Sequence, residues 1–96
     1  MKHTENQDKK LFEECELTWG KTFQTTKAME EAAEFIKATS KYFREPSLIN
    51  LNALADEIAD LRLMLGQIEH SYGLQRHCAY AKAKKIQIIK ERLKAS

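Results

Sequence analysis

The sequence contains few residues that interrupt regular structure. Its 96 residues include 3 glycines and 1 proline, so little of the chain is available for loops. It also lacks any apolar run near the ~18 residues that a membrane span requires. The N-terminal stretch MKHTENQDKK contains no apolar core of a signal peptide. These absences argue against membrane and secreted proteins, and we expect a cytoplasmic location.

Cysteine and net charge are equally limited. Cys15 and Cys78 show no metal-type spacing, so we expect reduced thiols. The net charge of +2 is too small to favour nucleic acid as a partner. A charged fraction of 31% and an apolar fraction of 43% are typical of a globular helical protein. We expect one domain over residues 1–96, with a disordered N-terminus at 1–5 and a small core that favours oligomerisation.

Three breaks divide the chain into segments with helical spacing of apolar residues. The breaks are Gly20, Pro46 and Gly73, and no segment alternates apolar with polar residues as a strand would. The pattern predicts an all-α bundle, and its helices are expected at about 6–19, 21–44, 48–71 and 75–94.

Two of these helices carry acidic clusters in which like charges are spaced unfavourably. In KAMEEAAEFIK, Glu30 and Glu34 are four residues apart, and in ALADEIADL the same spacing separates Asp56 and Asp60. The two residues of each pair lie on the same side of a helix, and their repulsion lowers helix stability by a few tenths of a kcal/mol. A compensating interaction is therefore expected.

Counting from the proline places the two clusters side by side. A short connection around Pro46 makes the second and third helices antiparallel neighbours. At a rise of ~1.5 Å per residue, Glu34 is then level with Glu57, and Glu31 is level with Asp60. These four carboxylates are expected to converge at the edge of the helix interface.

Converging carboxylates need a cation, because close like charges raise one another's pKa or separate the helices. The absence of Cys and His from the cluster argues against zinc. Oxygen ligands favour Mg²⁺, with Mn²⁺ as a possible substitute. The alternative interpretation is a solvated acidic face, in which Lys27 and Lys37 offset part of the charge.

The pattern E-E-x-x-E, a gap of 22 residues and then E-x-x-D resembles the signature of MazG-like nucleotide pyrophosphohydrolases, of the all-α NTP pyrophosphatase superfamily. The upstream WGKTFQTTKAMEEAAEF and the downstream DEIADLRLMLGQIEHSYGL extend the resemblance, which covers about residues 11–94. It implies a four-helix MazG-like bundle, completed by a homodimer or a dimer of dimers. It also implies Mg²⁺-dependent hydrolysis of an NTP or dNTP to the monophosphate and pyrophosphate.

The resemblance also implies roles for individual residues. Glu31, Glu34, Glu57 and Asp60 would be the metal ligands, and Glu30 would bind through water or orient the attacking water. All five are candidate catalytic residues, and which of them acts as the base is left open.

Substrate-binding candidates lie beside the cluster. Gln24 and Lys27 share a helix stripe with the acids, where Lys27 can contact phosphate or simply pair with Glu31. Trp19 can stack on a nucleobase or belong to the core.

The last predicted helix is basic. Lys85 and Arg92 fit a K-x-x-R-L-x-x-R-L run found in the family, but Ile88 stands where its first Arg belongs. A solvated basic face is the alternative, and nucleic-acid binding is a weaker one because Tyr80 is the sole aromatic residue there. For the whole chain, the alternative to an enzyme is a metal-stabilised helical interaction or regulatory module.

Overall fold

A computed structural model describes the backbone of residues 5–96 and the side chains of residues 8–96. Over that range it contains three helices and no strand: α1 (Glu5–Arg44), α2 (Leu48–Ser71) and α3 (Gln75–Ala95). The all-α class is confirmed, and the bounds of α2 and α3 agree with the expected ones to within a residue. The expected disordered N-terminus falls outside the described residues, except for Glu5, at which α1 begins.

The first two expected helices, 6–19 and 21–44, form one element with a kink, so the structure has three helices where four were expected. Gly20 has φ 82° and ψ 161°, far from helical values, while the residues on both sides remain helical. Glycine reaches positive φ without the steric penalty that a Cβ imposes. The chain therefore changes direction at a single residue and needs no loop.

A capped turn joins α1 to α2. Ser47 is the N-cap of α2, and its Oγ accepts a hydrogen bond of 3.1 Å from the backbone N–H of Asn50. The buried Asn50 side chain donates in turn to the carbonyl oxygen of Glu45 at 2.9 Å. Pro46 lies between these residues, where it cannot continue α1. The turn thus sets the register of the α1–α2 hairpin.

The two halves of α1 contact opposite faces of α2. After the kink, Glu31 approaches Glu57. Before the kink, the ring of Phe12 lies against Gly66, where a Cβ on the glycine would come within 2.8 Å of the ring. Gly66 follows Glu57 by nine residues, which is about 180° around a helix. The kink at Gly20 therefore allows one helix to cover two sides of α2.

In contrast, α3 projects from the hairpin. Among the described residues, no Cα of α3 lies within 8 Å of a Cα of α1, and no α3 residue is buried. The turn before α3 contains Gly73 at φ 63°. A single chain thus forms a two-helix hairpin with a projecting third helix. Over the described range, none of the helices has the length and apolar character needed to cross a membrane.

The Phe12–Gly66 contact predicts a non-additive pair of substitutions. Gly→Ala within a helix normally stabilises by about 1 kcal/mol, but in the wild-type chain the new methyl group meets the Phe12 ring. We expect Gly66→Ala to be neutral or destabilising in the wild type and stabilising by about 1 kcal/mol in a Phe12→Ala background. Urea unfolding of the four proteins measures the difference. Equal effects of Gly66→Ala in both backgrounds would show that the contact is unimportant.

Candidate metal centre

Three carboxylates converge where α1 passes α2. Glu31 of α1 and Glu57 and Asp60 of α2 each offer one oxygen, and these oxygens all lie within 4.8 Å of one another. Glu57 and Asp60 are three residues apart and therefore share one side of α2. Glu31 and Glu57 are half-buried, whereas Asp60 is exposed. We refer to these three residues as the acidic triad.

The other two acids of the expected cluster lie outside the triad. Glu34 is exposed and contributes no oxygen to the 4.8 Å group. Glu30 is also exposed, and its carboxylate lies 3.7 Å from the Nζ of Lys27. Three of the five candidate catalytic acids therefore come together in this chain, with the remaining two within one turn of Glu31 on α1.

Glu57 is the most perturbed member of the triad. Its Oε2 is buried and has no hydrogen-bond partner among the described residues. Burial raises the pKa of Glu57 above its ordinary value, and the charges of Glu31, Asp60, Glu34 and Asp56 raise it further, in that order. The site therefore holds negative charge that the surrounding protein does not fully compensate.

Lys27 provides part of the compensation. Its Nζ lies 3.5 Å from Oε1 of Glu31 and 3.7 Å from Oε2 of Glu30. The Glu31 side chain is 14% exposed and that of Lys27 is 47% exposed, so the ion pair spans the edge of the helix interface. The pairing considered from the sequence is thus present in the structure. Contact of Lys27 with phosphate stays a prediction.

Gln24 and Trp19 occupy very different surroundings. Gln24 is 1% exposed, and neither polar atom of its amide has a partner in the described part of the chain. Trp19 is 56% exposed and is tilted against Phe23, with a ring-centroid distance of 6.2 Å. The core interpretation of Trp19 is therefore wrong for the single chain, whereas Gln24 is an interior group with unused hydrogen-bonding capacity.

Lys85 and Arg92 are not brought to the acidic triad within one chain. Both are exposed on α3, which does not approach α1. A cleft of about 400 Å³ also shares no residue with the triad. It is lined by Asp8, Lys9, Phe12, Gly66, Glu69, His70 and Gln75.

Two contacts that support the site were missed in the sequence. The Phe12 ring against Gly66 is one. The other is a hydrogen bond of 2.9 Å between the hydroxyl groups of Thr25 and Tyr72, which ties α1 to the end of α2. An isolated glycine inside a helical pattern indicates close packing and was an available signal for the first contact. No local pattern indicates the second, since its partners are far apart in sequence.

The chain matched no protein-family model, no curated protein and no solved structure.

The raised pKa of Glu57 predicts how stability depends on pH. The folded state binds the Glu57 proton more tightly than the unfolded state does, so this group lowers stability as pH rises from 4.5 through the raised folded pKa. In EDTA, Glu57→Gln should therefore melt at a higher temperature than wild type near pH 7, and this difference should shrink toward pH 4. Circular dichroism melts at both pH values measure it.

Glu14→Gln is the control, because it removes an exposed carboxylate of α1 outside the triad. A pH-independent difference between Glu57→Gln and wild type would contradict the electrostatic explanation.

Proposed function

We propose that this protein is a cytoplasmic Mg²⁺-dependent pyrophosphohydrolase that converts an NTP or dNTP to the monophosphate and pyrophosphate. The observation that carries the proposal is the convergence of Glu31, Glu57 and Asp60, from two helices, to within 4.8 Å. The MazG-like spacing of these acids supports the same chemistry. An isolated acidic surface patch would not explain why two clusters meet across a helix interface.

The donor set fits a hard divalent cation. All three ligand groups are carboxylates, and the buried Oε2 of Glu57 lacks a partner in the described structure. Mg²⁺ prefers oxygen ligands and keeps several waters, and Mn²⁺ accepts the same groups. When bound, such an ion polarises phosphate oxygens and lowers the pKa of a coordinated water. It would also relieve the repulsion that raises the pKa of Glu57.

The residues of the chain would divide the work of hydrolysis. Glu31, Glu57 and Asp60 bind the cation, and Glu34 adds a ligand or negative charge from the next turn of α1. Glu30 orients the attacking water. The water oxygen bonds to the α-phosphorus, the bond from that phosphorus to the bridging oxygen of pyrophosphate breaks, and the water proton is lost to solvent. Positioning and electrostatic stabilisation supply most of the rate enhancement.

Release of Lys27 would add a positive charge for the substrate. When a cation neutralises Glu31, the ammonium group that lies 3.5 Å from this carboxylate is free to contact a phosphate oxygen. In this proposal Lys27 serves as counter-ion of the metal-free site and as phosphate ligand of the metal-bound site.

The remainder of the nucleotide site is proposed to need a second copy of the chain. Trp19 offers an exposed ring for base stacking, whereas the amide of Gln24 is 1% exposed and would have to be uncovered before it could contact a nucleotide. Lys85 and Arg92 lie on a helix that does not reach the triad of its own chain. Within a homodimer or a dimer of dimers, α3 of one copy can supply these cations to another.

The alternative function is a metal-stabilised helical module that binds or regulates a partner without catalysis. One observation favours it: a cleft of about 400 Å³ on the described chain shares no residue with the acidic triad. Under this alternative the cation stabilises the hairpin, and no nucleotide is hydrolysed.

Metal binding at the triad predicts a thermal shift. Millimolar Mg²⁺ or Mn²⁺ should raise the melting temperature of the wild type relative to EDTA, because a ligand that binds only the folded state stabilises it. Glu57→Gln and Asp60→Asn should each remove most of this shift.

Asp56→Asn is the matched control, since it makes the same chemical change on α2 outside the triad, and it should keep the shift. Lys27→Met should lower the metal concentration needed for half the shift, because it removes a competing cation. Lys41→Met, which removes an exposed lysine of the same helix outside the triad and outside any described ion pair, should not. A shift that survives both Glu57→Gln and Asp60→Asn places the cation elsewhere.

Catalysis predicts pyrophosphate release. A panel of NTPs and dNTPs with Mg²⁺ should yield pyrophosphate and the monophosphate from at least one nucleotide, as detected by a coupled pyrophosphate assay. Glu57→Gln and Asp60→Asn should lower kcat by about 100-fold or more, and Asp56→Asn should retain activity. Folded protein that shows the metal shift but hydrolyses no nucleotide would favour the non-catalytic module.

A further inference from the structure

An apolar stripe lies exposed along α1 after the kink. Met29, Ile36 and Phe43 follow one another at intervals of seven residues and are 63%, 67% and 85% exposed. Ala33 and Ser40, also exposed, stand between them at alternating spacings of four and three. A repeat of this kind keeps all five residues on one side of a helix and is typical of helix–helix seams. In the described structure this side does not face α2.

The exposed surface of the chain also exceeds that of a self-sufficient monomer. A folded monomer of 11.1 kDa has an accessible surface of about 5,700 Å², whereas this chain exposes 8064 Å². The excess is larger than the ~800 Å² that each partner contributes to a standard interface. The exposed area of the whole chain is therefore sufficient for a stable dimer, and the stripe contributes a regular apolar part of it, as do Ile86, Ile89 and Leu93 of α3.

We propose that this stripe packs antiparallel against the same stripe of a second copy. Its large residues alternate with small ones: Thr26, Ala33 and Ser40 alternate with Met29, Ile36 and Phe43. The hydroxyl of Thr26 donates a hydrogen bond of 3.0 Å to the carbonyl oxygen of Thr22, so the methyl group of Thr26 remains for packing.

An antiparallel register places each large residue against a small one. It pairs Ile36 with Ala33 of the second copy, Met29 with Ser40, and Phe43 with Thr26, and the twofold axis repeats each contact. Such interdigitation fills space without voids. A parallel register would instead place like against like, which crowds the phenylalanines and leaves a gap between the alanines.

Charges beside the stripe fit the same register. Lys37 lies between Ile36 and Ser40, and Glu30 lies between Met29 and Ala33. In the antiparallel register these two intervals face each other, so Glu30 of one copy meets Lys37 of the other, twice. The opposite charges favour this alignment over one shifted by a turn. Both side chains are exposed, and Lys37 of the second copy would share the Glu30 carboxylate with Lys27, which lies 3.7 Å from it.

The seam and the acidic triad lie on different sides of α1. Glu31 precedes Ile36 by five residues, which is about 140° around the helix. Dimerisation through the stripe thus leaves the triad open. Glu30 belongs to both the seam and the proposed chemistry, so its variants are compared by dimer Kd and not by activity. Loss of the dimer and loss of metal binding can be measured separately.

Sedimentation equilibrium of the full chain at low salt tests the seam. We expect a dimer for the wild type and a rise in dimer Kd of about 100-fold or more for Ile36→Asp. Ile49→Asp, at an 81% exposed position outside the stripe, should leave the Kd unchanged. Glu30→Lys and Lys37→Glu should each raise the Kd by about tenfold. The double variant should restore the dimer, which only a direct Glu30–Lys37 contact explains.

Disulfide trapping provides a readout that does not need a destabilising variant. In a Cys15→Ala/Cys78→Ser background, chains carrying Ala33→Cys and Ile36→Cys should cross-link to each other on mild oxidation more readily than either does to itself. A monomeric wild type at about 100 µM, above the Kd of a typical stable dimer, would overturn the proposal. So would a dimer that Ile36→Asp leaves intact or a charge swap that fails to restore association.

Discussion

Repulsion between carboxylates across the α1–α2 interface is the constraint on which the rest of the structure depends. The Ser47 and Asn50 hydrogen bonds fix the register of the hairpin, and that register sets Glu31 opposite Glu57 and Asp60. Repulsion favours separation of these carboxylates, because burial and neighbouring charges oppose ionisation of Glu57. The hairpin instead retains them, with Lys27 as a partial counter-ion. One conservative substitution could remove this stability cost, and its retention is the reason we propose a cation at the triad.

The hairpin tolerates this repulsion because other contacts hold α2 from several directions. Phe12 packs against Gly66 on the side of α2 opposite Glu57. The Thr25–Tyr72 hydrogen bond connects the C-terminal end of α2 to α1. The kink at Gly20 makes both possible, since a straight α1 could cover only one side of its neighbour. Glycine at this position thus allows α1 to contact α2 on two sides.

Much of this arrangement could be predicted from local sequence patterns. The rest depends on side-chain direction and backbone geometry, which local patterns do not determine. Apolar spacing and the Pro46 break predicted α2 and α3, and counting from Pro46 predicted that Glu31, Glu57 and Asp60 would be neighbours. Counting gives the level of a residue along the helix but not the direction of its side chain. Glu34, level with Glu57, was expected in the cluster, but it contributes no oxygen to the 4.8 Å group, although its charge still raises the pKa of Glu57. Gly20 was recognised as a break, but one residue of positive φ leaves the two halves continuous.

The faces of α1 after the kink show how one helix can serve several roles. One side carries Gln24 and Glu31 toward α2, and the side about 140° from Glu31 carries Ile36 outward. The charged residues Glu30 and Lys37 lie between these sides. The acidic side must stay accessible to solvent, whereas burial of the apolar side is favourable. Association of two chains through the apolar side satisfies both requirements. This association would also explain why the core of the hairpin is small, because a second copy would bury apolar surface that the hairpin leaves exposed.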